Sequence, residues 1–336
     1  MSSAAALEMP TDGVLTAVGG TPLVRLRRLL PEAGFELYAK LESINPGGSI
    51  KDRTALNILR QAWRGGLIDS NTLVIESSSG NLGIGLAQAC RYLGLRFICV
   101  VDAKTTEQNL AILRAYGAQV DVVTEPDPAT GELLPARLRR LRELLALHPH
   151  SFWPNQYGNP DNAGAHRETM REILAELPRV DYLFCATSTC GTLRGCRETI
   201  RRRGLGTTVV AVDAVGSAIF GGPAEKRLIP GHGAAVRPDL YQPDLADLVV
   251  LVSDGDCVAG CHDLLGREAI LAGGSSGAIV AAIERVQDRI PPGSRCVAIL
   301  PDRGDRYLDT IYSDDWILRH FGRTVATLNV REAAGC

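Results

Sequence analysis

The run Asn45-Pro46-Gly47-Gly48-Ser49-Ile50-Lys51-Asp52-Arg53 closes a turn of Gly and Pro on a lysine, just ahead of the amphipathic stretch Thr54 to Arg64. A lysine in that position is placed by the start of a helix and does not float on a surface arm. Covalent amine catalysis needs a lysine that can lose its proton, and desolvation near a helix N-terminus favours the neutral amine. Taken alone, Lys51, Asp52 and Arg53 also read as exposed charges of an ordinary first helical turn.

Two loops carry groups that bind anions. Glu76-Ser77-Ser78-Ser79-Gly80-Asn81-Leu82-Gly83 lies between an apolar run and an amphipathic one, where hydroxyls and free backbone N–H groups can grip a carboxylate. Thr187-Ser188-Thr189-Cys190-Gly191-Thr192 lies in the same context, and its small hydroxyl residues suit a phosphate. Either loop by itself is also the form of a plain connection between strand and helix.

Elements that position these loops are legible from the hydrophobic rhythm. Thr72 to Glu76 reads as a strand and Leu82 to Leu93 as a helix; Arg96 to Asp102 is a strand, Glu107 to Tyr116 a helix ended by Gly117, and Gln119 to Val123 a strand. The pattern returns with Tyr182 to Cys185, a helix through Arg201, Thr208 to Asp213, and the late strand Cys296 to Leu300. Alternating βα units imply an α/β fold with a mostly parallel sheet. Turn formers cluster in Glu125 to Gly131 and in Trp153 to Asn162, which marks both as candidate boundaries. No internal repeat is evident.

Composition narrows the function class. The 336 residues are 45% hydrophobic and 22% charged, enough for one large core or two moderate ones. With 36 basic and 38 acidic residues the formal charge is -2, so no global field draws the chain to nucleic acid or to an anionic membrane. Small-molecule partners are expected. Met1 to Thr11 shows no basic stretch followed by an apolar core, and no apolar run reaches membrane-spanning length. The nine cysteines lack paired CxxC spacing and several sit in apolar runs, which reads as buried reduced thiols of a cytoplasmic protein. The six histidines have no HxxxH spacing, so no metal site is expected. The arginines of Ala136 to Leu147 are read as a solvated face.

Two motifs imitate other chemistry. Gly80, Gly83 and Gly85, followed by Asp102, mimic a dinucleotide fingerprint, but the spacing is not GxGxxG. Gly273-Gly274-Ser275-Ser276-Gly277, with Asp302 and His320 downstream, mimics a nucleophile elbow without a clear strand leading into it.

Taken together, and in order along nearly the whole chain from Gly20-Thr21-Pro22-Leu23 to Leu300-Pro301-Asp302-Arg303-Gly304-Asp305-Arg306-Tyr307-Leu308, these segments resemble the fold-type II pyridoxal-phosphate enzymes of the cysteine synthase and cystathionine β-synthase group. The resemblance implies an α/β fold of two three-layer αβα lobes with the cofactor, pyridoxal 5'-phosphate, between them. A smaller substrate-binding lobe is expected over 46–155, a larger phosphate-binding lobe over 11–45 and 156–325, and tails at 1–10 and 326–336. It further implies that Lys51 carries the cofactor as a Schiff base, that Asn81 bonds its phenolic oxygen, that Ser188, Thr189, Cys190, Gly191 and Thr192 cradle its phosphate, and that Ser275 meets the pyridine nitrogen. The loop Ser77, Ser78, Ser79, Gly80 and Asn81 would hold the substrate carboxylate. A neutral hydroxyl at the pyridine nitrogen suits β-elimination and replacement better than transamination. A homodimer is expected from the same resemblance.

Departures from the cysteine synthase pattern point to a nucleophile other than sulfide. Ser188 and Cys190 stand where the family has glycines, Tyr157 within Asn155-Gln156-Tyr157-Gly158-Asn159 where phenylalanine is usual, Leu82 where a hydroxyl residue is usual, and Arg303 is added. These features are similar to the branch that joins O-phospho-L-serine to L-glutamate on the way to 2,3-diaminopropionate, a building block of siderophores and peptide antibiotics. Gln156, Tyr157 and Ser188 are then candidates for the second-substrate pocket. Arg303 is a candidate for a carboxylate or the leaving phosphate, and equally for a structural ion pair. The rival expectations are a cysteine synthase using sulfide, a non-catalytic cofactor-binding partner or sensor, and, more remotely, a nicotinamide dehydrogenase.

Overall fold

The computed structural model describes residues 9, 12–128 and 131–328. Most of the tail segments 1–10 and 326–336, together with Cys336, lie outside the described residues. Along the chain run β1 (Leu23–Leu26), β2 (Glu36–Leu41), α1 (Lys51–Arg64), β3 (Leu73–Ser77), α2 (Asn81–Leu93), β4 (Arg96–Asp102), α3 (Glu107–Ala115), β5 (Gln119–Val123), α4 (Leu133–Leu147) and β6 (Ser151–Phe152). There follow α5 (Pro160–Glu176), β7 (Tyr182–Ala186), α6 (Gly191–Arg202), β8 (Thr208–Ala214), β9 (Leu248–Val252), α7 (Asp254–Glu268), α8 (Gly274–Val286), β10 (Arg295–Leu300) and α9 (Asp314–Phe321). The chain divides into two compact units, one formed by 1–19 and 45–165, the other by 20–44 and 166–336.

The first unit holds a four-stranded sheet in the order β5-β4-β3-β6, parallel throughout. Both faces of this sheet are buried, which is why β3 and β4 read as unbroken apolar runs rather than alternating ones. Val74, Phe97, Cys99 and Val101 pack with Leu59, Leu86 and Leu113, whereas Leu73, Ile75, Ile98 and Val100 pack with Leu141 and Leu144 of α4. Period-2 alternation thus splits one apolar run between two helical layers.

The second unit holds six strands in the order β1-β2-β10-β7-β8-β9. Only β1 runs antiparallel, along β2; the other pairings are parallel. Phe184, Val210, Val212, Cys296 and Ala298 form a core with Cys257, Leu264, Ile279 and Ile283 of α7 and α8. Leu183, Cys185, Val209 and Ala211, at the alternate strand positions, are equally buried.

Strands expected from the sequence appear within a residue of their predicted limits, and Gln119 to Val123 matches at both ends. Helix starts differ more. α1 begins at Lys51 and not Thr54, α2 at Asn81 and not Leu82, and α8, which the sequence suggests only from Ala278 onward to Val286, begins at Gly274. For α2 and α8 the cause is the same: Gly, Ser and Asn in a first turn weaken the helical signal but are at home where N–H groups have no intrahelical partner; α1 opens on the charges Lys51-Asp52-Arg53, which read with the turn before them. Lys51, Asn81, Gly191, Thr192 and Ser275 therefore stand in first helical turns. Among the described residues no helix is long and apolar enough to cross a membrane.

Candidate active site

Lys51 is the first residue of α1 and is half-buried. Its backbone N–H donates to Ser49 Oγ at 3.2 Å, while the buried Asp52 carboxylate accepts the N–H of Gly47 at 2.5 Å, so the glycine turn is folded back on the helix it feeds. α2 passes close to this turn at Gly85, where a Cβ would stand 3.1 Å from Lys51 O and 3.3 Å from Ala55 Cβ. A side chain there would displace the lysine's own backbone.

β3 delivers the loop 77–81 to the start of α2. Ser78 N–H donates to Val100 O at 3.1 Å, Ser78 Oγ accepts Gly83 N–H at 3.1 Å, the Cys99 thiol donates to Ser78 O at 3.1 Å, and Asn109 Nδ2 donates to Ser79 O at 3.0 Å. The loop is thereby tied to β4 and α3 and takes one N–H at the head of α2, that of Gly83, while the N-cap Gly80 has no side chain to cap the helix. Ser77 Oγ is buried and has no hydrogen-bond partner among the described residues. A helix start without an N-cap side chain, beside a buried hydroxyl, is a setting in which an anion can be bound.

A buried hydrogen-bonded chain joins this loop to the segment 155–157 and to α1. Glu76 Oε1 accepts Ser77 N–H at 2.8 Å and Trp153 Nε1–H at 3.1 Å, and Oε2 accepts Gln156 N–H at 3.4 Å. Gln156 O accepts from Asn162 Nδ2 at 2.8 Å, and Asn162 Oδ1 accepts from Thr54 Oγ1, one turn beyond Lys51, at 3.2 Å. Burial pushes the Glu76 carboxyl up to about 7, against the lowering effect of its N–H donors. Lys51, the 77–81 loop and Gln156–Tyr157 are thus brought into one framework within the first unit. Glu76, Trp153, Asn162 and Thr54 were not among the residues expected from sequence. The available signal was a glutamate closing an apolar strand, a charge that has to find donors if the strand is buried.

In the second unit β7 leads into the loop 187–192. Thr187 is pinned at both ends: its hydroxyl donates to Asp213 Oδ1 at 2.9 Å, and its carbonyl accepts Gly233 N–H at 2.8 Å. Desolvation raises the pKa of Asp213. Cys190 is the N-cap of α6 at φ +64°, a left-handed conformation that explains why glycine is the family's usual choice. Its thiol is buried and pushed up to about 12, so it places no charge at the loop. Thr189 Oγ1 accepts Gly191 N–H at 3.4 Å, Ser188 and Thr192 are half-buried, and α6 has no side-chain cap. Ser275 is buried in the first turn of α8, which also lacks a side-chain cap, and the neighbouring Ser276 Oγ is buried with no hydrogen-bond partner among the described residues.

The chemistry of these first turns, Ser and Thr hydroxyls at the starts of α6 and α8 and a lysine at the head of α1, fits a phosphorylated pyridine aldehyde. In the second unit the 188–192 loop would offer neutral donors to its phosphate and Ser275 a neutral hydroxyl to its ring nitrogen; in the first, Lys51 would offer an amine to its aldehyde. Arg303, by contrast, is exposed and donates from Nε to Ser43 O at 3.1 Å.

The family model described as "Pyridoxal-phosphate dependent enzyme" matches residues 14–302. The chain belongs to this pyridoxal-phosphate dependent family. An N-(2-amino-2-carboxyethyl)-L-glutamate synthase from Ralstonia nicotianae is 48% identical to it over 313 residues, covering 93% of this chain and 92% of its own. A synthase of the same name from Cupriavidus metallidurans is 46% identical over 316 residues, with the same coverage. Among solved structures, an O-ureido-L-serine synthase superposes with a TM-score of 0.83 at 32% identity, covering 92% of this chain and 99% of its own.

The enzyme's two imitative motifs are now explained. Gly273 to Gly277 caps and opens α8, Asp302 is engaged by the Tyr307 hydroxyl at 2.6 Å, and His320 stacks on Trp316 within α9. Gly83 and Gly85 serve the close packing of α2. The arginines of α4 are not merely solvated: Arg137 pairs with Asp102 at 3.2 Å and Arg140 with Asp121 at 2.9 Å.

Proposed function

We propose that this enzyme joins O-phospho-L-serine and L-glutamate by β-replacement, giving N-(2-amino-2-carboxyethyl)-L-glutamate and phosphate, a precursor of 2,3-diaminopropionate for siderophore or peptide antibiotic synthesis. The observation that carries this reading is the identity of 46–48% with two synthases of that name over more than nine-tenths of each chain. Tyr157 and Ser188, polar where sulfide-using relatives need nothing polar, support it: glutamate brings two carboxylates to be recognised, and sulfide brings none.

Pyridoxal phosphate, when bound, supplies an electron sink that acidifies the α-proton of an amino acid and lets a β-substituent depart. Lys51 Nζ would hold the cofactor and, once free as an amine, would take the α-proton of the substrate. The N–H groups and hydroxyls of 77–81 fix the substrate carboxylate, which orients the Cα–H bond toward that amine. Asn81, Ser188 to Thr192 and Ser275 keep the cofactor in register. Phosphate leaves from Cβ, the unprotonated amine of glutamate forms the new C–N bond there, its surplus proton passes to solvent, and Lys51 returns a proton to Cα. Gln156, Tyr157 and Ser188 receive glutamate; Arg303 is proposed only as a peripheral carboxylate or phosphate contact.

We further infer a cytoplasmic homodimer. The eight free, buried cysteines of the described residues support a reducing compartment, and the family resemblance supports the dimer.

Incubation of the purified enzyme with O-phosphoserine, glutamate and sulfide together, followed by mass spectrometry, is expected to give the glutamate adduct. Cysteine as sole product would replace the reading with that of a cysteine synthase. In Tyr157→Phe and Ser188→Gly, kcat/KM for glutamate is expected to fall about tenfold or more, the equivalent of a hydrogen bond to a charged group. Release of phosphate from O-phosphoserine is expected to fall much less. Equal loss of both half-reactions would remove these two residues from the glutamate pocket.

A further inference from the structure

Resting on the proposed second substrate, we infer that Glu76 is a positioning residue for that substrate: its buried carboxylate sets the Gln156–Tyr157 segment against the carboxylate loop by accepting N–H groups from both. Glu76 is buried at 3% exposure at the end of β3 and is surrounded by donors: Ser77 N–H and Trp153 Nε1–H on Oε1, Gln156 N–H on Oε2, and the backbone N–H of Asn155. The ionised carboxylate, which only accepts, suits such a ring of donors better than the protonated acid, which gives up one acceptor position to its own hydrogen. The Gln156 peptide is held from its other side by Asn162, itself bonded to Thr54 of α1. Glu76 is the link in this chain that can change protonation state near neutral pH.

A titratable group that feels Glu76 is the Cys99 thiol of β4, which burial and Glu76 itself push up to about 12, so it stays neutral through the working range; Arg137 of α4 acts on the same thiol in the opposite sense. The other groups bonded to Glu76, the Trp153 indole and the peptide N–H groups of Ser77, Asn155 and Gln156, do not titrate.

Glu76→Gln keeps the shape and tests the donor count. A glutamine oxygen placed at the Oε1 position serves two donors, which leaves its amino group facing Gln156 N–H, donor against donor. The segment carrying Gln156 and Tyr157 is therefore the one disturbed. The loss in kcat/KM for glutamate is expected to exceed the loss in phosphate release from O-phosphoserine by about tenfold. Equal losses, or none, would overturn the assignment.

Trp153→Phe gives a second readout that does not depend on the folding of the first variant. Removing one donor from Oε1 disfavours the ionised carboxylate, so the acid limb of the pH profile of kcat/KM for glutamate is expected to move to higher pH by about half a unit or more. The protonation of glutamate's own amine is common to both proteins and cancels in the comparison. An unmoved limb would show that Glu76 does not set glutamate use. The wild-type competition experiment separates the two ideas: without a glutamate adduct the proposed function fails, whereas with an adduct but no split and no shift only the role of Glu76 fails.

Discussion

Lys51→Ala is expected to yield a folded protein that has lost the Schiff-base absorbance of its bound cofactor and turns over at least about 10²- to 10⁴-fold more slowly, the range for loss of a positioned acid–base group, with the loss of the covalent anchor added. Folding should survive because Lys51 heads α1 half-exposed and alanine is a better helix former than lysine. Absorption spectra with pyridoxal phosphate, recorded beside circular dichroism, test both halves of the expectation. An unchanged cofactor spectrum in this variant would remove Lys51 from the chemistry and leave the family's most specific residue unassigned.

Gly277→Ala is expected to give the largest loss of stability that a single methyl can cause here. α7 and α8 meet backbone to backbone: a Cβ on Gly277 would stand 2.0 Å from Cys257 O and 2.6 Å from Cys261 Sγ, and a Cβ on Gly260 would stand 2.2 Å from Gly277 O. Neither obstacle is the loose end of a flexible side chain, so the helices must separate, at a cost of about 3 kcal/mol or more. Ser275 lies two residues before the collision, so cofactor affinity should weaken together with stability. Gly266→Ala is the matched control. It sits in α7 with open space around its Cβ position and should gain about 0.5–1 kcal/mol from helix propensity. Urea unfolding of the three proteins decides between them; a Gly277→Ala protein as stable as wild type would mean that α7 and α8 can part freely.

These two glycines show where the sequence is legible and where it is not. Strands such as Gln119–Val123 and Arg96–Asp102 declare themselves because their apolar runs are local, and the loops at 77–81 and 187–192 because hydroxyls and glycines between strand and helix have few other uses. The tight crossing of Gly260 with Gly277 is a relation between two helices separated by a turn, and a glycine inside a helical pattern signals no particular neighbour. The same holds for Glu76. Its motif was conspicuous, but its donors come from Trp153 and Gln156, some eighty residues away in the chain. Arg303 shows the reverse: a charge that stood out in a motif proves to be exposed and bonded to a backbone carbonyl. Chemistry carried on one loop could be read, whereas contacts made across the fold had to be seen.

The eight described cysteines are each 2% exposed or less, and burial raises the pKa of most of them. A thiol so placed neither meets an alkylating reagent nor presents its reactive anion until the surrounding structure opens. Cys90 and Cys99 belong to the first unit and Cys185, Cys190, Cys196, Cys257, Cys261 and Cys296 to the second. The enzyme therefore carries its own labels: timed alkylation followed by peptide mapping would report the opening rate of each unit separately, in the unmodified protein, and would show whether cofactor or substrate closes one before the other.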